Sequence, residues 1–298
     1  MFSRRIAMAM LGAVLILTAG VMPAAAARPV RPAPVAERPF TPAELAASER
    51  KIAAAASYLA SAEARAVGRG TLACFQPEAD QTSGATADGP GEPETQAICA
   101  PPQDFLAVSP RDQIRGHYCG PAVGQVIANH SWAVPLNANK FTQGQIASWM
   151  QTDQNGGTSA FTMEDGLEVA TLGAPRRPAN WDWVVSRLED TDRDGTFGDQ
   201  LHDYVRANVS GSNMALAIPV LPHEKNGRFH LSSWPKPVNS PGHWIAAYGW
   251  RGFYDGTDSS RLYYTDSSRD EGGSTGQFWD PVRHVGGMIR DHTQRFVW

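Results

Sequence analysis

Beyond its first thirty residues the chain lacks any long hydrophobic run, so nothing in the remainder reads as a membrane span. Blocks of like charge are missing as well. The formal net charge is −4 over 298 residues with no long basic stretch, which argues against a nucleic-acid partner. No internal repeat recurs along the chain, so a repeat array is not the reading. Cysteine is scarce: Cys74, Cys99 and Cys119 are the full set. Three thiols cannot all pair within one molecule, so at least one is free if the chain reaches an oxidising compartment.

What is present begins with "MFSRRIAMAMLGAVLILTAGVMPAAAARPV". Arg4 and Arg5 form a positive segment, Ile6 to Met22 an apolar core, and the alanines before Arg28 a small-residue cleavage site. This is the order of a secretory signal peptide, expected over residues 1–27. The alternative is an uncleaved anchor. With cleavage the mature protein is expected to be secreted, with no stable membrane insertion. Residues 28–40 are Pro-rich and read as an extended linker. Residues 41–100 are expected to hold a helix and a closed loop, and 101–298 the principal domain. The length suits one sizeable core with extensions, and the apolar content of 42% is ordinary for a globular chain.

Thr41, Pro42 and Glu44 make a helix start with a capping box, and alanine-rich sequence carries the helix to about Val67, where "GRG" stops it. That helix is either a pro-segment or a piece packed on the domain. Cys74 and Cys99 then flank a polar Gly-, Pro- and Glu-rich stretch, which suits closure by a disulfide and leaves Cys119 free. Further on, "CGPAVGQVIANH" reads as a helix with Ala122, Val123, Val126 and Ile127 on one face. "TQGQIASWMQT" reads as a short helix capped by Thr142, "TMEDGLEVATLG" as one starting near Thr162, and "FGDQLHDYVRANV" as another. The segments "MALAIPVL", "HWIAAYGW" and "RLYYTD" read as strands. Helices first and strands later predict an α+β domain.

Cys119 falls where a helix begins, so free N–H groups and the positive helix end favour its thiolate. A buried structural cysteine is the competing reading. Among the eight histidines, His243 stands at the mouth of an almost wholly apolar strand, after a Pro-Gly turn. It is either a general base or a satisfied strand-end residue. A hairpin centred near Asp255-Gly256 would bring Asp266 beside His243, where a carboxylate can orient an imidazole. Asp266 also fits the start of the turn "DSS". Gln113, six residues before Cys119, has an amide that could join the Cys119 backbone N–H in holding an oxyanion. His117 is too near Cys119 in the chain to face it, while His223 and His230 lie in a polar loop. "EDTDRDGTFGDQLHD" opens like a calcium loop through Asp190, Asp192 and Asp194, but Leu201 stands where a bidentate Glu is required. No metal is therefore assigned, and no cofactor motif is present.

The run Gln, five residues, then Cys-Gly-Pro-Ala, followed later by Gly-His-Trp on an apolar strand and Tyr-Thr-Asp on the next, resembles the papain-like cysteine peptidases that remove double-glycine leaders from bacteriocins. The resemblance is to their stand-alone secreted relatives and spans Asp112 to Ser268. It implies a papain-like α+β fold, with helices carrying the cysteine, an antiparallel sheet carrying His and Asp, and a helical N-terminal extension. It implies Cys119 as nucleophile, His243 as base and then acid, Asp266 as orienting group and Gln113 in the oxyanion hole. The expected activity is hydrolysis of peptide bonds through a thioester, on a peptide or protein substrate. The alternatives are an amidase of the same fold acting on cell-wall peptides, or a secreted binding module without catalysis.

Overall fold

The computed structural model describes residues 37–68, 102–189, 197–225, 227–236, 242–268 and 272–298. The expected signal peptide, most of the Pro-rich stretch, Cys74 and Cys99 with their expected disulfide, and the Asp190–Asp194 loop all lie outside these residues. Helix α1 (Pro42–Gly68) is followed by strand β1 (Gln103–Phe105) and three helices, α2 (Cys119–Ser131), α3 (Gln143–Trp149) and α4 (Ala160–Thr171). Then come β2 (Val185–Arg187), α5 (Gly198–Arg206), β3 (Leu216–Val220), β4 (His243–Arg251), β5 (Arg261–Ser267), β6 (Thr275–Pro281), α6 (Val282–Arg290) and β7 (Arg295–Val297). The strands form one antiparallel sheet in the order β2-β7-β3-β4-β5-β6, with β1 added beside the far half of β4. The architecture is therefore mixed α and β around an antiparallel sheet, as the order of segments predicts.

His243 to Trp250 on β4 are all buried. Successive strand residues point to opposite faces, so both faces of the central strand are covered. Helix α2 packs on β4 and β5 and is flanked by α3 and α4, while α5 and α6 pack on each other and reach β4 and β3. Helix α2 is buried from Gly120 through Ser131. The apolar face read from Val123 and Ile127 is thus only part of its contact surface. The Gly, Ala, Gln and Asn positions on the remaining surface are enclosed by α3, α4 and the loop ending at Phe141.

Capping chemistry sets the helix starts. Thr142 accepts from the Gln145 N–H, and Gln145 returns the bond to the Thr142 backbone. Helix α4 starts earlier than expected: Ser159 is its N-cap and Thr162 is the reciprocal partner in its capping box. A Ser-x-x-Thr pair is a less familiar form of that box, so sequence alone points to Thr162 as the start. Losing either cap would cost about 1 kcal/mol. Past Arg206, α5 widens into a π-turn over Ala207–Ser212, closed by Asn213 in the left-handed region (φ 56°). The short strands β1, β2 and β7, and also β6 and α6, were not anticipated. Three-residue strands carry too little periodicity to be read.

Helix α1 is packed on the domain. Ala55 and Leu59 join the same apolar core as β3 and β4. Ser48 Oγ lies 2.7 Å from Ser186 Oγ. Lys51 donates to the backbone carbonyls of Asp182 and Trp298, with its ammonium 3.6 Å from the Trp181 ring centroid.

Candidate active site

The site is assembled from the first residue of α2, the first of β4 and the penultimate residue of β5. Cys119 opens α2 and is half-buried. The next residue must be glycine, since a Cβ on Gly120 would lie 2.4 Å from Thr158 Oγ1. This close approach seats the helix start against the loop before α4, where the Trp244 indole N–H also donates to Thr158 O at 2.9 Å.

His243 begins β4 immediately after Gly242, whose φ of 152° and whose missing Cβ, 2.2 Å from His292 Nε2, both require glycine. The β4–β5 hairpin pairs Ala246 with Thr265 and Ala247 with Tyr264. In the same register Asp266 lies opposite Ile245, and His243 is the diagonal neighbour two residues along on the same face, within reach of a side-chain contact. The contact is made: His243 Nε2–H donates to Asp266 Oδ1 at 2.7 Å. A bulge between Ala247 and Gly249 shifts the register only beyond this point.

Asp266 is fully buried, and each carboxylate oxygen is used. Oδ1 also accepts from the Ser268 backbone N–H at 2.9 Å. Oδ2 accepts from Ser233 Oγ at 2.7 Å and from Trp234 Nε1 at 2.8 Å. Burial pushes the Asp266 carboxyl up, but the charge and hydrogen bond of His243, with the Ser268 and Ser233 donors, outweigh it and hold the group below its ordinary value. For His243, burial favours the neutral ring, and the Asp266 carboxylate and the Cys119 sulfur outweigh that effect and raise it. Burial likewise opposes the Cys119 thiolate. The hydrogen bond and charge of His243 and the backbone N–H groups of Trp244 and Gly120 overcome it, so the thiol lies below its ordinary value. With Nε2 on Asp266, Nδ1 is the ring nitrogen left to face sulfur. The arrangement favours an imidazolium–thiolate pair with a carboxylate behind it.

Gln113, whose amide is expected to join the Cys119 backbone N–H in holding an oxyanion, is tied to the chain around it. Its backbone N–H donates to Ser267 O at 2.9 Å, which pins it to the end of β5 beside Asp266. Its side-chain Nε2 donates to Gly116 O at 3.3 Å, in the turn before Cys119, and Oε1 is buried without a partner among the described residues. Gln143 grips the main chain on both sides of it, giving Nε2–H to Asp112 O at 2.7 Å and accepting from the Ile114 N–H at 3.0 Å.

Four of the other histidines are occupied elsewhere. His117 sits edge-on to Tyr118, His223 and His230 stack on each other, and His284 stacks on Phe229 and lies 3.0 Å from Asp258. His223 is half-buried, which the polar loop around it did not suggest. Ser233 and Trp234 were missed by sequence reasoning. "SSW" sits in a polar loop, and no spacing links it to Asp266. Among the described residues no group of three or more His, Cys, Asp or Glu side chains could hold a metal ion.

No family model matches the chain, and no curated protein matches it. Among solved structures, the peptidase domain of Streptococcus ComA, a bi-functional ABC transporter involved in quorum sensing, is similar at 15% identity with a TM-score of 0.35. The match covers 64% of this chain and 96% of that domain. It is a weak likeness in both sequence and geometry.

Proposed function

We propose that this chain is an exported cysteine peptidase of papain-like fold, and that Cys119, His243 and Asp266 are its triad. The observation that carries the reading is the two-sided engagement of His243, with Asp266 2.7 Å from one ring nitrogen and Cys119 in hydrogen-bonding contact with the ring as well. A structural cysteine requires no such partner.

The chemistry follows from the charges. The Cys119 thiolate attacks the carbonyl carbon of a peptide bond, and the C=O π electrons move to oxygen. The Cys119 backbone N–H at the start of α2 would stabilise that oxygen, and the Gln113 amide, now on Gly116 O, would turn to join it. As the tetrahedral adduct collapses, the C–N bond breaks and His243 gives its Nδ1 proton to the departing amine. The resulting thioester is attacked by water, whose proton returns to Nδ1, and the C–S bond breaks to restore the thiolate. Asp266 keeps the ring in one orientation throughout. The N-terminal signal directs the protein out of the cytoplasm.

The test uses the purified protein with a thiol-directed peptidyl probe and a fluorescently labelled unfolded polypeptide. Wild type is expected to carry the probe at Cys119 and to cut the polypeptide, and Cys119→Ala to do neither. Probe attachment without cleavage of polypeptide, but with release of amines from cell-wall peptides, would replace the peptidase by the amidase. No attachment at Cys119 would leave the binding module.

A further inference from the structure

Asp266 is held by more than its catalytic partner. Its Oδ2 faces away from His243 and takes two donors from consecutive residues, Ser233 Oγ and Trp234 Nε1. Both belong to the β3–β4 connection, which leads directly into His243. The Trp234 ring is buried and lies edge-on to the His243 imidazole, with centroids 5.2 Å apart. It also packs against Gly273, where a Cβ would lie 2.7 Å from the indole, so Trp234 has little room to move.

The same loop is anchored from behind. The Ser232 backbone N–H donates to Asp280 Oδ2 at 2.9 Å, and the Ser232 hydroxyl donates to Oδ1. Tyr264 OH donates to Asp280 Oδ2 at 2.7 Å and lies 3.3 Å from Ser233 Oγ. A buried carboxylate in β6 therefore fixes the loop whose next two residues fix the carboxylate in β5. From the geometry we infer that Ser233 and Trp234 are positioning residues for the catalytic pair: they lock the Asp266 carboxylate by Oδ2 so that Oδ1 is always presented to His243, and Trp234 closes that contact off from water. The inference rests on the reading of Cys119, His243 and Asp266 as a triad.

Without the two donors, Oδ2 is a buried acceptor with nothing to accept from, and the carboxyl can turn about its own bond. Donors favour the ionised form, so their loss moves Asp266 protonation to higher pH. A protonated Asp266 no longer supports the imidazolium, and the thiolate takes its proton back. The charged and titratable groups bearing on this chain are His243 on β4, Cys119 on α2, Tyr264 on β5, Asp280 on β6, and His292 pressed on Gly242. The variants leave all of them in place.

The experiment follows iodoacetamide alkylation of Cys119 in the full chain between pH 4 and 9, with the Cys119 peptide quantified by mass spectrometry. Wild type, Trp234→Phe, Ser233→Ala and the double variant are compared, with melting temperatures recorded alongside. Trp234→Phe removes the N–H donor and keeps a smaller aromatic ring beside His243. The acid limb is expected to move up by roughly 0.5–1 pH unit in each single variant and further in the double. Alkylation at pH 5 should then slow several-fold while the rate near pH 8 changes little. An acid limb unmoved in all three variants overturns the inference, whether or not they melt earlier, and leaves the triad standing. A wild-type Cys119 that alkylates as an ordinary thiol overturns the triad and the inference together.

Discussion

Two histidines in this molecule are equally buried and behave in opposite ways. His243 and His130 are each 5% exposed. His130 sits near the C-terminal end of α2, the helix whose first residue is Cys119. Its ring nitrogens meet two backbone carbonyls, Ala107 O at 3.1 Å and Asn213 O at 2.9 Å, with Arg176 beside them. Burial lowers its pKa, the carbonyls resist only in part, and the Arg176 charge lowers it further. His243 meets a carboxylate and a thiol, and its pKa is raised against the same kind of burial. Burial by itself makes a neutral, structural imidazole. A buried anion on one side favours the charged form of the same ring, and on this the proposed acid–base role rests.

The pH dependence of folding follows with opposite sign at the two sites. A raised histidine stabilises the fold below its unfolded value near 6.5, and that contribution fades as pH rises through the folded value. A lowered one stabilises above about 6.5 and loses that contribution as pH falls, because the unfolded chain then takes up the proton. Proton NMR of the imidazoles at pH 7.5 should show His243 charged and His130 neutral.

The largest effect expected is at the sulfur. Cys119→Ala should bring hydrolysis to background while the melting temperature changes little, since the residue is half-buried at a helix end. Asp266→Asn should make His243 resemble His130, by removing the buried charge while keeping the shape. Turnover is expected to fall about 10²- to 10³-fold, with KM changing far less. The converse substitution, His130→Ala, leaves a buried carbonyl without its donor and opens a cavity. It should cost about 2–4 kcal/mol and lower the melting temperature by roughly 5–10 °C, with the Cys119 alkylation profile unchanged. Loss of that profile in His130→Ala would show that α2 transmits strain from one end to the other.

How much of this was legible differs between the two ends of α2. The meeting of His243 and Asp266 near the Cys119 end was readable from a helix-start cysteine, a histidine opening an apolar strand, and a hairpin whose turn at Asp255-Gly256 fixes which residues meet. The β4–β5 register follows from alternation and turn position, both of which are local. His130 went unremarked because its partners, Ala107 and Asn213, are backbone carbonyls far away in the chain, and carbonyls leave no mark in a sequence. Ser233 and Trp234 were hidden for a related reason, since the β3–β4 connection finds Asp266 only after the sheet forms. The capping residue of α4 was missed by three positions because Thr162 satisfies the same local rule from the other side of the box.

The smallest effect lies at Glu164 on α4, which lacks, among the described residues, the pairing seen at Asp266. Burial, followed by the charges of Asp165 and Glu44, raises Glu164 to about 7, against some relief from Arg38 and Lys51. In the unfolded chain such a carboxyl ionises near 4.3. Folding therefore loses stability as pH rises from about 4.3 through about 7. Glu164→Gln should raise the melting temperature at pH 8 and leave it unchanged at pH 4. A stabilisation equal at both values would mean that the effect is packing and not charge.

The difference between the two buried histidines comes to a single readable quantity, the protonation of Cys119 beside His243. Its iodoacetamide alkylation rate should be measured across pH in wild type and His243→Ala. An imidazolium–thiolate pair gives reactivity that persists at mildly acid pH, well below the ordinary thiol value of about 8.5, and that collapses to ordinary thiol behaviour in His243→Ala. The same thiol-like curve centred near 8.5 in both proteins would contradict the account.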